Sequence, residues 1–168
     1  MSLVKTLNRQ NGVSLLEVLI ALLVLAIGIL GFAGLQMSSL NQSTDANHRV
    51  TAVLIAQDAV ERMELNPAQR DAYLDANWSA GTLGGSPSAT CINATCSSNE
   101  MATWDIAQLS WQAANQLPGG RITASDCPFN NLTCIVVSWD TQDPATCISA
   151  VGINVTSGSK CFVLEAAR

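Results

Sequence analysis

Lysine is almost missing from this chain of 168 residues: Lys5 and Lys160 are the only two. Charged residues make up 12 % and the formal charge is −5, so nucleic acid is excluded as a principal partner. Histidine occurs once, as His48 beside Arg49 in a polar stretch, and reads as a solvated helix residue. No nucleophile-base-acid set, phosphate loop or metal cluster stands out, so the chain reads as no enzyme, with no cofactor and no metal. Cysteine is absent from the first 90 residues, yet six follow. Aromatic residues are 5 %; Trp78, Trp104, Trp111 and Trp139 sit in helical or strand settings and are expected in a core rather than on a carbohydrate platform.

What is abundant is aliphatic sequence near the start. Gly12-Val13-Ser14-Leu15-Leu16-Glu17 opens an apolar run that continues to Leu35 with Glu17 as its only charge. Residues 13–35 as a helix would be about 35 Å long at ~1.5 Å per residue, enough to cross a bilayer. Lys5 and Arg9 precede the run and no basic residue follows until Arg49, which places the N-terminus in the cytoplasm and the remainder outside. The run is longer than the ~7–15 residues of an ordinary secretory signal, and Gly31-Phe32-Ala33 gives only a minor alternative cleavage site. An acid near the centre of a membrane helix costs roughly 2.5–3.5 kcal/mol, less toward an end, so Glu17 needs a partner or a task.

These residues resemble the type III signal of bacterial type IV prepilins and pseudopilins. The resemblance implies cleavage by a membrane-embedded prepilin peptidase between Gly12 and Val13 and N-methylation of Val13, although Phe is the usual first mature residue. Losing residues 1–12 removes Lys5 and Arg9, leaving six basic against thirteen acidic residues, a net −7. The new Val13 amine and Glu17 are costly to bury apart and tolerable together, which makes the pair a register device. It can form within one helix, at i and i+4, or between subunits of a filament; the resemblance favours the second.

The resemblance reaches further, to PilV-type minor pilins. It runs through Ser14 to Leu22 and Ile27 to Gln36, then Ala59 to Pro67, Leu117-Pro118-Gly119-Gly120 and Val136 to Asp140. It implies a role in initiating a type IV pilus and in a tip complex supporting adhesion or motility. The partners would be the peptidase, inner-membrane lipid before assembly, other minor pilins, the major pilin and a tip adhesin. A minor pseudopilin of type II secretion shares this anchor. A periplasmic binding or redox module on an uncleaved signal anchor is the alternative of another class.

The expected fold is α+β and type IV pilin-like: a long N-terminal helix packed on a small antiparallel sheet with disulfides. The divisions are 1–12 leader, 13–35 membrane or filament-core half of the helix, 36–66 amphipathic half, and 67–168 globular periplasmic or extracellular domain. Val50, Val53, Leu54, Val60 and Met63 recur at helical intervals until Asn66-Pro67. Gly28, Gly31 and Gly34 suit close helix packing, or are ordinary glycines of a membrane helix. A helical turn is expected at residues 68–74, a loop at 79–99, a helix at 103–117, and strands at 121–124, 132–139 and 160–166, with Val151, Ile153 and Val155 as a further edge strand. An even cysteine count in an exported domain reads as disulfides; six allow 15 pairings. The sequential set, Cys91 with Cys96, Cys127 with Cys134 and Cys147 with Cys161, closes short loops in a thin-cored domain. Cys-x4-Cys and Cys-x6-Cys spacings suit zinc poorly. Five Asn-x-Ser/Thr sequons, at Asn41, Asn77, Asn93, Asn131 and Asn154, read as composition, and Asp140 and Asp143 as a solvated turn.

Overall fold

The computed structural model describes residues 12, 14–74, 78, 81–85, 90–154, 156 and 158–167. They fall into two compact units, one ending at Thr44 and the other beginning at Asp45, inside helix α1 (Leu15–Leu65). In the first unit the apolar side chains from Leu15 to Leu40 lie open, with Phe32 63 % and Leu35 72 % exposed. Among the described residues α1 is the one helix long and apolar enough to cross a membrane.

Within the second unit α1 changes character. Ala52, Ile55, Ala56, Ala59 and Met63 are buried at spacings of three and four, a stripe along one helix face. Three of the five are alanines, and the stripe shares the main core with Ile135 and Val137 of the sheet. After a 3-10 turn at Pro67–Gln69 come α2 (Arg70–Leu74) and α3 (Ser98–Gln116). Helix α3 starts five residues before the expected Thr103, within the segment read as loop. The reason is a capping box: the Ser97 amide donates to Glu100 Oε2 at 2.8 Å, while the Glu100 amide donates to Ser97 Oγ at 3.4 Å. The Ser97 amide, with the Ser97 hydroxyl, also holds the Glu100 carboxyl below its ordinary range.

The sheet has the order β1 (Arg121–Asp126), β2 (Thr133–Ser138), β5 (Cys161–Ala166), all antiparallel. Arg121 faces Ser138 in the first ladder, and Ser138 faces Cys161 in the second. Every β2 residue is buried because both of its faces are covered. Ile135 and Val137 join α1, α3 and Trp139 in the main core, while Val136 packs with Cys147 and Cys161 on the other side. Tyr73, Leu109 and Trp139 are fully enclosed; Trp78 is half-buried against the main core, and Trp104 and Trp111 are also half-buried. Val151 and Ile153 do not extend this sheet. Gly152–Ile153 (β4) pairs instead with Ile148–Ser149 (β3) in a separate hairpin, because the chain turns back within residues 150–151; Val155 lies outside the described residues.

The disulfides are Cys91–Cys96, Cys127–Cys134 and Cys147–Cys161. The second clips the β1–β2 connection, and the third ties the β2–β5 excursion to the first residue of β5. Closing a loop of about 15 residues contributes ~3 kcal/mol in the chain-entropy model. Between α3 and β1, Gly119 adopts φ +58°, and a Cβ there would lie 2.4 Å from the Asp140 carbonyl oxygen. Gly119→Ala is therefore expected to cost about 2 kcal/mol or more and to lower Tm by about 10 °C, measured by thermal melting of the full chain in micelles.

Candidate functional site

The start of α1 is the first chemically distinctive place. Gly12 and Ser14 are exposed, and Val13 lies outside the described residues. The Ser14 carbonyl accepts from the amides of Glu17 at 3.0 Å and Val18 at 3.3 Å, closing the first turn. Glu17 stands in that turn, exposed, where a carboxylate complements the partial positive charge of a helix start. Among the described residues its carboxylate has no hydrogen bond or ion pair. Beyond it runs the uncovered aliphatic surface, and a Cβ at Gly28, Gly31 or Gly34 would meet nothing within 4 Å. Among the described residues no contact requires those glycines.

Two ionic clusters lie in the second unit, and neither was expected. Asp45 takes Arg49 Nε at 3.0 Å and also Lys160 Nζ, while Arg49 Nη2 donates to the Ser159 carbonyl at 2.8 Å. Arg49 also stacks over the Trp139 ring, 5.5 Å from its centre. Lys160 and Arg49, as hydrogen-bond donors, hold the Asp45 carboxyl below its ordinary value. His48, one residue earlier, is half-buried rather than fully solvated.

The second cluster is deeper. Asp105, only 4 % exposed, accepts from Arg62 Nη1 at 2.7 Å and from the Tyr73 hydroxyl at 2.6 Å. Arg62 Nε donates to Asp58 Oδ1 at 2.8 Å, and its guanidinium lies over Trp104. Burial opposes the charge on Arg62, but hydrogen bonds to Asp58 and Asp105 prevail and raise its pKa. Burial, reinforced by donation to Asp105, pushes the Tyr73 phenol well above its ordinary range. Asn66 completes the set, donating to the Ser98 carbonyl at 2.7 Å. Half of each cluster is written in the sequence as an acid four residues before an arginine, Asp45/Arg49 and Asp58/Arg62. The distant partners Lys160 and Asp105 carry no local signal.

The six predicted cysteines are joined in pairs. Cys127, Cys134 and Glu165 gather their ligand-type atoms closely, but the two sulfurs are bonded to each other and Glu165 accepts from Asn130 Nδ2 at 2.6 Å. The distinctive parts of the chain are a long uncovered aliphatic helix with an acid at its tip and a disulfide-bonded α+β unit braced by ion pairs.

Those parts define a filament-forming or membrane-anchored structural subunit. Two family models match adjoining stretches: the prokaryotic N-terminal methylation motif over residues 7–33, and type IV pilin Tt1218 over residues 34–107. No curated protein and no solved structure matches the chain. The chain is a type IV pilin, of a family that is structural rather than catalytic. Its methylation motif implies processing by prepilin peptidase and assembly with other pilins.

Two titrations test the clusters. Asp45 loses its proton more readily folded than unfolded, so its contribution is present above the unfolded value near 3.8 and fades as pH falls below it. Asp45→Asn should flatten that acid limb in denaturant midpoints measured against pH. Tyr73 has the opposite sign: its contribution is full below the unfolded value near 10 and is lost as pH rises through and beyond it. Because it is the chain's single tyrosine, tyrosinate absorbance should appear only together with unfolding, detected by circular dichroism on the same sample.

Proposed function

We propose that this pilin is a PilV-type minor pilin that joins other minor pilins to initiate a type IV pilus and occupies its tip complex, supporting adhesion or motility. In this reading the peptidase cuts between Gly12 and Val13, the Val13 amine is methylated, and the mature helix rests in the inner membrane before entering the filament. The N-terminus faces the cytoplasm until that cut, and the disulfide-bonded domain stays in the periplasm until assembly carries it outside.

The observation that carries the reading is the position of Glu17. Among the described residues it is an acid without a counter-charge, on the first turn of a helix whose next five turns expose aliphatic side chains. In lipid or in a packed helical bundle such an acid requires a cation, and cleavage after Gly12 supplies one four residues away. Pairing Glu17 of an incoming subunit with the Val13 amine of a neighbour penalises axial slips, because leaving either charge alone costs about 3–5 kcal/mol. The aliphatic surface supplies adhesion without direction, and the ion pair supplies register.

Intact mass of the membrane-extracted protein should show loss of residues 1–12 and gain of one methyl group; retention of Met1 would instead indicate an uncleaved anchor. Glu17→Gln should be cleaved normally yet appear in sheared pili at less than about a tenth of the wild-type level. Normal incorporation would overturn the register role. Deletion should reduce pilus number; a secretion defect with normal piliation would assign the chain to a type II secretion pseudopilus.

A further inference from the structure

The outer edge of β5 is open. In the order β1-β2-β5 no described strand pairs with its far side. Which backbone groups face that side follows from the ladder. The Trp139 amide donates to the Lys160 carbonyl at 2.9 Å, so Trp139 and Lys160 form a hydrogen-bonded pair. In an antiparallel ladder such pairs alternate with non-bonded ones. Along the β2–β5 register, Phe162, Leu164 and Ala166 therefore turn their amides and carbonyls toward β2. Val163 and Glu165 turn theirs outward, where they form half of an unbuilt ladder.

A groove of about 410 Å³ runs beside this edge, lined by Gln57, Val60, Glu61 and Glu64 of α1 and by Leu164 and Glu165 of β5, among others. Its floor is aliphatic, since Leu164 and Val60 are both half-buried on the margin of the main core. Its borders are acidic: Glu61, Glu64 and Glu165 are exposed. Arg70, which lines an adjoining cleft with Glu64, Ala166 and Ala167, is already engaged with the Thr133 hydroxyl and the Ala167 carbonyl. Unpaired strand edge, apolar floor and carboxylate border together describe one kind of occupant.

We infer that this edge and groove dock an extended basic segment of a different protein, which adds to the sheet as a fourth strand beside β5. The segment would be about five residues long, the usual strand length. Its outward-facing neighbours at Val163 and Glu165 give main-chain hydrogen bonds, and alternate side chains give selectivity. Apolar residues on the face toward α1 would lie over Leu164 and Val60; the lysines or arginines alternating with them would meet Glu165, which also accepts from Asn130, on the other face, and a basic residue at an end of the segment would reach Glu61 and Glu64.

A second copy of this chain is the wrong occupant. Pairing two β5 edges would set carboxylates against carboxylates, and like charges directly opposed across a ladder are destabilising. Nor does the chain beyond Gly12 contain a suitable strand. Of its six basic residues, Arg49, Arg62, Arg70 and Lys160 are held internally, and Arg121 and Arg168 are 47 positions apart. The inference does not depend on membership of a tip complex.

The test uses the full chain, isotopically labelled, in non-ionic detergent micelles, with a synthetic peptide of alternating valine and lysine as probe. Binding should shift the Val163 and Glu165 amides and slow their exchange. A peptide with alternate backbone amides methylated, or with glutamate in place of lysine, should not bind. Glu61→Gln, Glu64→Gln and Glu165→Gln combined should weaken binding about tenfold without changing the thermal melt. Val163→Pro removes an outward amide only and should abolish binding. If that variant does not fold, the triple glutamine variant decides. The inference is overturned if all three peptides bind alike, if none binds, if the triple variant binds as well as wild type, or if the two amides are protected in the free protein in proportion to its concentration, which would mean self-pairing.

Discussion

Burying the carboxylate of Asp105 between α1 and α3 is costly unless each oxygen is met, and both are: one by Arg62, the other by the Tyr73 hydroxyl. That requirement fixes more of the second unit than any single aliphatic contact. Arg62 comes from the last turn of α1, Tyr73 from α2 and Asp105 from α3, so three helices share one arrangement. Hydrophobic packing would tolerate a small slide of α1 along the sheet, since its buried stripe is largely alanine. The charged triangle does not, because a slide strands Asp105 without a counter-charge. A second brace stands at the beginning of the unit, where Asp45 gathers Arg49 and Lys160 and joins the helix to the residue just before β5.

Helix α1 thus serves two surroundings with one backbone. Up to Leu40 it offers bulky aliphatic groups that lie exposed among the described residues. From Asp45 it offers a narrow alanine-rich face to a sheet and charged groups elsewhere. The methylation-motif and pilin matches meet within this same helix, one ending at residue 33 and the other beginning at 34. The pilin match therefore takes in the last exposed apolar residues, Leu35, Met37 and Leu40, together with the buried stripe.

Much of this was legible beforehand, and the reasons differ by element. The apolar run and Glu17 are visible because a membrane-length stretch tolerates so few charges that one acid stands out. Asn66-Pro67 announces the end of α1, and Pro118-Gly119-Gly120 the turn into β1, because proline and glycine restrict or release the backbone locally. The start of α3 was readable in Ser97-x-x-Glu100 but hidden by the surrounding serine, asparagine and threonine. The β3–β4 hairpin was taken for an edge of the main sheet because alternation at Val151 and Ile153 says that a strand exists, not which strand it meets. Lys160 and Asp105 were invisible as members of clusters, lying 115 and 43 residues from their partners. Only the folded unit brings such residues together.

All three bridges join cysteines that are consecutive along the chain. An oxidase meeting the polypeptide N-terminus first would find the mates of Cys91, Cys127 and Cys147 to be the next cysteine to emerge in each case. Pairing in order of arrival, two at a time, then yields the native connectivity, and disulfide exchange is required only where a second cysteine of one pair meets the first of the next.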